Sequence, residues 1–129
     1  MFNPATNTIV ATITDGSSPI DAIYCPSNDR IYIVNTGDNA VSAVNPATNT
    51  VVSTIRVGTN PLTPVYSPYN DRIYVCNASS NNVSIINPIS NTVIATVPVF
   101  TYCRDAAYCP SNDRVYISTP IQDSVSILS

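Results

Sequence analysis

Histidine, lysine, glutamate and tryptophan are absent from the 129 residues, and charged side chains make up only 10% of them. Without His, Glu or Lys the usual general bases reduce to Asp, Tyr or a Cys thiolate, and no base-plus-nucleophile pair is visible, so an enzyme is not expected. Eight acidic residues outweigh five basic ones, giving a net charge of −3. No basic stripe is available to neutralise phosphates, which argues against nucleic acid and anionic membrane surfaces as partners. Apolar runs fall short of the roughly 20 residues of a membrane span, so membrane insertion is not expected. The start, Met1-Phe2-Asn3-Pro4, has neither a charged n-region nor an apolar h-region, so no signal peptide is expected and the residues themselves give no compartment.

Cysteine is sparse, at Cys25, Cys76, Cys103 and Cys109, and no two make a CxxC pair. Cys25 and Cys109 fall where the middle of the chain has Ser67, the substitution pattern of a small buried side chain. Cys103 and Cys109 stand at the two ends of one expected strand, about 20 Å apart and unable to bond. The reading is four free thiols, no disulfide, no metal and no cofactor.

What is present is a 42-residue unit repeated three times, at 3–44, 45–86 and 87–128, opened by Asn3, Asn45 and Asn87. The first two copies agree at 22 of 42 positions, and a period of this length signals a propeller, a solenoid or an array. The missing Lys and Glu are replaced by Val, Ile, Thr, Tyr, Asn, Ser and Pro, the composition of strands joined by turns. With 44% hydrophobic residues, one all-β domain over 1–129 is expected.

Each copy divides into four β-prone runs, A to D, which in the second copy are Pro61–Ser67, Arg72–Asn77, Asn82–Asn87 and Thr92–Val99. The A–B links are Pro26–Asp29, Pro68–Asp71 and Pro110–Asp113, and the C–D links are Asn45–Asn49 and Asn87–Asn91; both are turn chemistry. The Asp29-Arg30, Asp71-Arg72 and Asp113-Arg114 pairs are read as turn residues with exposed ion pairs. Tyr24, Tyr66 and Tyr108, with Tyr32, Tyr74 and Tyr116, are read as packing between sheets with the hydroxyl at an edge.

Strand B reads Ile31-Tyr32-Ile33-Val34-Asn35, Ile73-Tyr74-Val75-Cys76-Asn77 and Val115-Tyr116-Ile117-Ser118-Thr119. Together with the D strand of Asn49–Gly58 and the Ser-Pro-x-Asn-Asp-Arg turn, it resembles the YVTN family of β-propeller repeats over essentially the whole chain. The resemblance implies four-stranded antiparallel blades and a non-catalytic interaction module associated with cell surfaces and surface-layer proteins.

Propellers have about four to eight blades, so three copies make a half-ring. The order of strands is D, ABCD, ABCD, ABC. The segment Thr8–Thr14 is therefore expected to complete the blade begun by 103–129, either in a six-bladed homodimer, which is preferred, or by strand exchange into a polymer. An excised piece of a seven-bladed ring is the remaining alternative. The B–C and D–A links vary between copies while the A–B and C–D turns hardly do, which makes the variable face the candidate binding face for a protein or small-molecule ligand. Its most distinctive residues are Phe100, Tyr102 and Arg104, with Asp21 and Asp105 sharing one slot near the start of strand A.

Overall fold

The repeat folds as successive antiparallel meanders. In the computed structural model, which describes residues 2–3, 8–99 and 101–129, a short hairpin of β1 (Phe2–Asn3) and β2 (Thr8–Ile9) comes first. The first blade is β3 (Pro19–Cys25), β4 (Arg30–Asn35), β5 (Ala40–Asn45) and β6 (Thr50–Arg56). The second is β7 (Pro61–Ser67), β8 (Arg72–Asn77), β9 (Asn82–Asn87) and β10 (Thr92–Pro98). The third has three strands, β11 (Ala106–Cys109), β12 (Arg114–Thr119) and β13 (Ser124–Leu128). Strand β3 packs against β7 and β7 against β11, so the first strands lie together and the sheets fan out from them.

The hydrophobic core lies between blades. Tyr32, Val34, Val41 and Ala43 of the first blade meet Ile73, Val75 and Ile86 of the second. One period later, Tyr74, Cys76 and Val83 meet Val115 and Ile117 of the third. A blade such as the second is thus covered on both faces, which is why β8 is apolar along its length and buried from Ile73 to Asn77. Alternation of polar and apolar residues would suit a sheet with one wet face.

Every tight link turns through a residue in the left-handed region: Asp29, Asp71 and Asp113 between the first two strands of a blade, Asn49 and Asn91 between the last two. Asn and Asp tolerate this conformation because a short polar side chain can bond locally, as Asp29 and Asp71 do with the hydroxyls of Tyr24 and Tyr66; at the start of the last links Asn45 and Asn87 accept the N–H of Ala47 and Ile89 at 3.0 Å.

Three expectations need correction. The strand expected over Thr8–Thr14 is regular only at Thr8–Ile9, because within the described residues its one ladder partner is the two-residue β1. The turn aspartates pair with tyrosine and not with arginine. Tyr24 donates to Asp29 at 3.0 Å, Tyr66 to Asp71 at 2.9 Å, and Tyr108 to Asp113, while Arg30 and Arg72 donate to the carbonyls of Asp29 and Asp71 at 3.1 and 2.9 Å. The left-handed aspartate brings its carboxylate to the tyrosine five residues earlier, and the guanidinium closes the turn on backbone oxygens.

The third correction concerns the thiols: Cys76 and Cys103 form a disulfide, 27 residues apart in sequence with Cα atoms 6.0 Å apart. Cys76 ends the buried face of β8 and Cys103 lies on the segment leading into the third blade, so the packing of blade against blade joins two positions that belong to different repeats. Cys25 and Cys109 are free, each against a serine hydroxyl, Ser27 and Ser111.

Thiol titration under denaturing, non-reducing conditions should therefore find two thiols, and reduction should lower the unfolding free energy by about 3–4 kcal/mol from loop-closure entropy. A second expectation follows from the tyrosine bonds. Hydrogen bonding to Asp113 raises the Tyr108 pKa to about 12, and the same bond to Asp29 raises that of Tyr24. Since the folded value exceeds the unfolded one near 10, the contribution of this bond is complete below about pH 10 and is lost as pH rises through about 12. Ultraviolet titration of tyrosinate should show a late-ionising component that Asp113→Asn shifts back toward pH 10.

Candidate binding site

The links from the last strand of one blade to the first of the next all descend on the same end of the fan. Each carries a left-handed residue at the same slot: Ser18, Asn60 and Tyr102, with φ of 54°, 56° and 58°. Two of these links are clasped by the preceding blade, the Asn60 N–H donating to Asn39 Oδ1 at 3.0 Å and the Tyr102 N–H to Asn81 Oδ1 at 2.9 Å. Strand A then begins irregularly, with the ladder shifting between Pro19 and Asp21 and between Pro61 and Pro64. These irregular starts leave room beside the axis of the fan.

That room is a cavity of about 270 Å³ lined by Ile20, Asp21, Leu62, Thr63, Tyr102, Arg104 and Asp105. Four of the five residues singled out in the sequence, Asp21, Tyr102, Arg104 and Asp105, come together here. Phe100 lies outside the described residues. Ile20, Leu62 and Thr63 were not singled out, although the period contained the signal: 20, 62 and 104 are one slot of the repeat, and 21, 63 and 105 the next. Neighbouring slots in neighbouring blades must share a wall once the first strands lie together.

The third-copy segment is held at four successive residues. Tyr102 is clasped by Asn81, Cys103 is bonded to Cys76, the Arg104 N–H donates to the Ser118 carbonyl at 3.0 Å, and the Asp105 N–H donates to Ser118 Oγ at 3.1 Å. Thr63 Oγ1 donates to the Arg104 carbonyl at 3.1 Å, which ties the segment to the second blade. Asp21 and Asp105 each use Oδ1 to accept the next residue's N–H at 2.8 Å, from Ala22 and Ala106. The rigid backbone thus presents a guanidinium, a phenol and two carboxylates over an aliphatic floor. Such a set can grip a ligand with mixed polar and apolar surface. Among the described residues no three His, Cys, Asp or Glu side chains gather as metal ligands.

Tyr102 is the conspicuous member. An aromatic residue in the left-handed region crowds its Cβ against the backbone, at a cost of about 1–2 kcal/mol, where the equivalent positions have Ser18 and Asn60. Strain of this kind gathers at sites of function.

The chain matches the model of the YNCE-like beta-propeller family over residues 2–122. It belongs to that family. Solved structures agree on the fold. A functionally unknown protein from Desulfotomaculum acetoxidans aligns with a TM-score of 0.78 at 16% identity, over 99% of this chain and 46% of that one. Hydrazine synthase of Kuenenia stuttgartiensis gives 0.73 at 24%, over 86% and 32%, and apo AztD from Citrobacter koseri gives 0.72 at 15%, over 95% and 34%. The chain therefore spans less than half the length of each of these structures. No curated protein matches it. At these identities the likeness shows the propeller fold alone, and the YNCE-like chain's site rests on its own residues.

Replacing Tyr102 by Asn, the residue its slot holds in the second copy, should raise stability by about 0.5–1 kcal/mol by relieving the left-handed strain. Chemical denaturation of the oxidised protein measures this, and a loss of stability would show that the ring makes packing contacts worth more than the strain.

Proposed function

We propose that this YNCE-like propeller is a non-catalytic binding module whose protein or small-molecule partner docks at the mouth of the fan, on Asp21, Tyr102, Arg104 and Asp105. The observation that carries this reading is the mouth cavity itself, where a strained tyrosine and an arginine replace the small or aliphatic residues of the other copies. Tyr and Arg supply large contact area and directed donors, the properties of interface anchors. Support for a non-catalytic role comes from the lining: it has no His, Lys or Glu, and both carboxylates already accept backbone N–H groups. The YVTN-like strand and turn motifs favour a cell-surface setting for the module.

A second reading is favoured by the outer edge of β13, unpaired among the described residues, and by Val125 and Ile127 on its face, 58% and 54% exposed. An open edge of this kind accepts an added strand. On this reading the chain is a self-assembling unit, closing with a second copy into six blades or, if the rotation fails to close, extending as a polymer. A seven-bladed ring of which this is a part is the other way to cover that edge.

Binding at the mouth is tested by two-dimensional NMR of the oxidised chain against a library of amino acids, short peptides and small metabolites. Shifted resonances should cluster at Ile20, Asp21, Leu62, Thr63 and residues 102–105. For any hit, Tyr102→Ser with Arg104→Leu should weaken affinity by more than about 1 kcal/mol. Tyr69→Ser, on the opposite turn face and 72% exposed, should leave it unchanged. Hits that lose affinity only with Tyr69→Ser would overturn the assignment.

A further inference from the structure

The fan has two open faces, and each is one half of a contact the molecule already makes. On the trailing side of the first blade, Tyr32, Val34, Val41 and Ala43 are fully buried against the second. Their equivalents on the third blade are Tyr116, Ser118, Val125 and Ile127, of which the last two are more than half exposed, and beside them lies a second cavity of about 330 Å³ lined by Ala106, Tyr116, Ser118 and Val125. On the leading side of the second blade, Ile73 and Val75 are fully buried. Their equivalents on the first blade, Ile31 and Ile33, are only partly covered, and Tyr24 beside them is 50% exposed. The apolar residues that pack blade on blade are thus kept on both ends, except that Ser118 stands in the slot of Val34.

The polar clasp across that contact is kept too. Between the first two blades, Ser27 Oγ donates to Asp71 at 2.7 Å, Asn28 Nδ2 to the Pro88 carbonyl at 3.0 Å, and the Tyr32 hydroxyl to Asn91 Oδ1 at 2.6 Å. Moved along by two periods, the donors become Ser111, Asn112 and Tyr116 on the trailing face of the third blade. Carried round to the leading face of the first blade, the acceptors become Asp29, Pro46 and Asn49. Every slot holds the residue the clasp requires. Asn49 Oδ1 has no hydrogen-bond partner, a state it shares with the Oδ1 atoms of Asn28, Asn35 and Asn77, whereas the same atom of Asn91 takes the Tyr32 hydroxyl.

We infer that the leading face of the first blade is a docking surface for the trailing face of the third blade of a second copy of this chain. In this contact Tyr116 of one copy donates to Asn49 of the other, Ser111 meets Asp29, and two copies close on each other. The inference rests on the self-association reading above and fixes its residues and register.

The test uses the oxidised chain with Cys25→Ser and Cys109→Ser, adding Ser111→Cys and Asp29→Cys. A parallel variant with Ser27→Cys and Asp71→Cys reports the same geometry inside one chain and should cross-link at monomer mass, 13.8 kDa. Mild oxidation of the first variant should give one covalent species of twice that mass. A ladder of larger species would overturn closure by two copies. A dimer in solution that fails to cross-link while the parallel variant does would overturn the register but leave self-association standing, whereas a monomer in light scattering at all concentrations sinks both. Tyr116→Phe should raise the dimer dissociation constant about tenfold, from a lost hydroxyl bond in each of two contacts. An unchanged constant would remove the Tyr116–Asn49 clasp.

Discussion

Blade-on-blade packing is the contact on which everything else in this molecule depends. A single meander of four short strands has two flat apolar faces and no interior of its own, so its stability comes from the neighbours that cover them. Both interfaces put β-branched residues and an aromatic body in the middle, and the one between the first two blades adds a tyrosine hydroxyl and turn asparagines at its rim. Tyr32 shows how the two parts combine, since its ring is fully buried while its hydroxyl reaches Asn91 of the next blade. The ring supplies buried area and the hydroxyl fixes the register between sheets.

The turns make this packing affordable with almost no glycine. The chain has three glycines, yet among the described residues eleven others take positive φ, nine of them Asn or Asp. These side chains do more than tolerate the conformation, for Asp29 and Asp71 receive tyrosine hydroxyls and Asn39 and Asn81 clasp the following link. Glycine could take the same backbone shape but would leave those bonds unmade. The high Asn and Asp content is therefore part of the interblade contact as well as of the loops.

Much of this was legible in the sequence, and the parts that were not share a cause. The strands of the second copy were read to within one residue of their observed ends, because turn residues and alternating β-branched runs are local signals. Asp21, Tyr102, Arg104 and Asp105 were recognised as a group because comparing three copies reveals which slots vary. The Cys76–Cys103 bond was missed because the comparison aligned each cysteine with its equivalents, Val34 and Ser118 or Pro19 and Pro61, and never across blades. The Tyr–Asp pairing was missed for a related reason. Asp71 and Arg72 are adjacent in sequence and attract attention as opposite charges, but a left-handed aspartate faces back across the turn to Tyr66, and only the backbone conformation reveals it.

The same across-link reading shows that the third copy has changed as a unit. A Cβ on Gly58 would lie 2.7 Å from the Asn77 side chain, and one on Gly16 would lie 3.2 Å from that of Asn35. The glycine of the link and the asparagine ending strand B therefore share one space, in which Asn35 and Asn77 donate to Ser42 and Ser84 at 2.8 Å. In the third copy the glycine slot is Phe100 and the asparagine slot is Thr119, whose Oγ1 instead donates to the Ser124 carbonyl at 2.9 Å. The adjoining residues then gain Tyr102, the cysteine that ties the segment to the second blade, and Arg104. An unconstrained loop would not be tied at four successive residues, by Asn81 at Tyr102, by the disulfide at Cys103 and by Ser118 at Arg104 and Asp105. The pattern is that of a segment rebuilt to hold its side chains in fixed positions at the mouth.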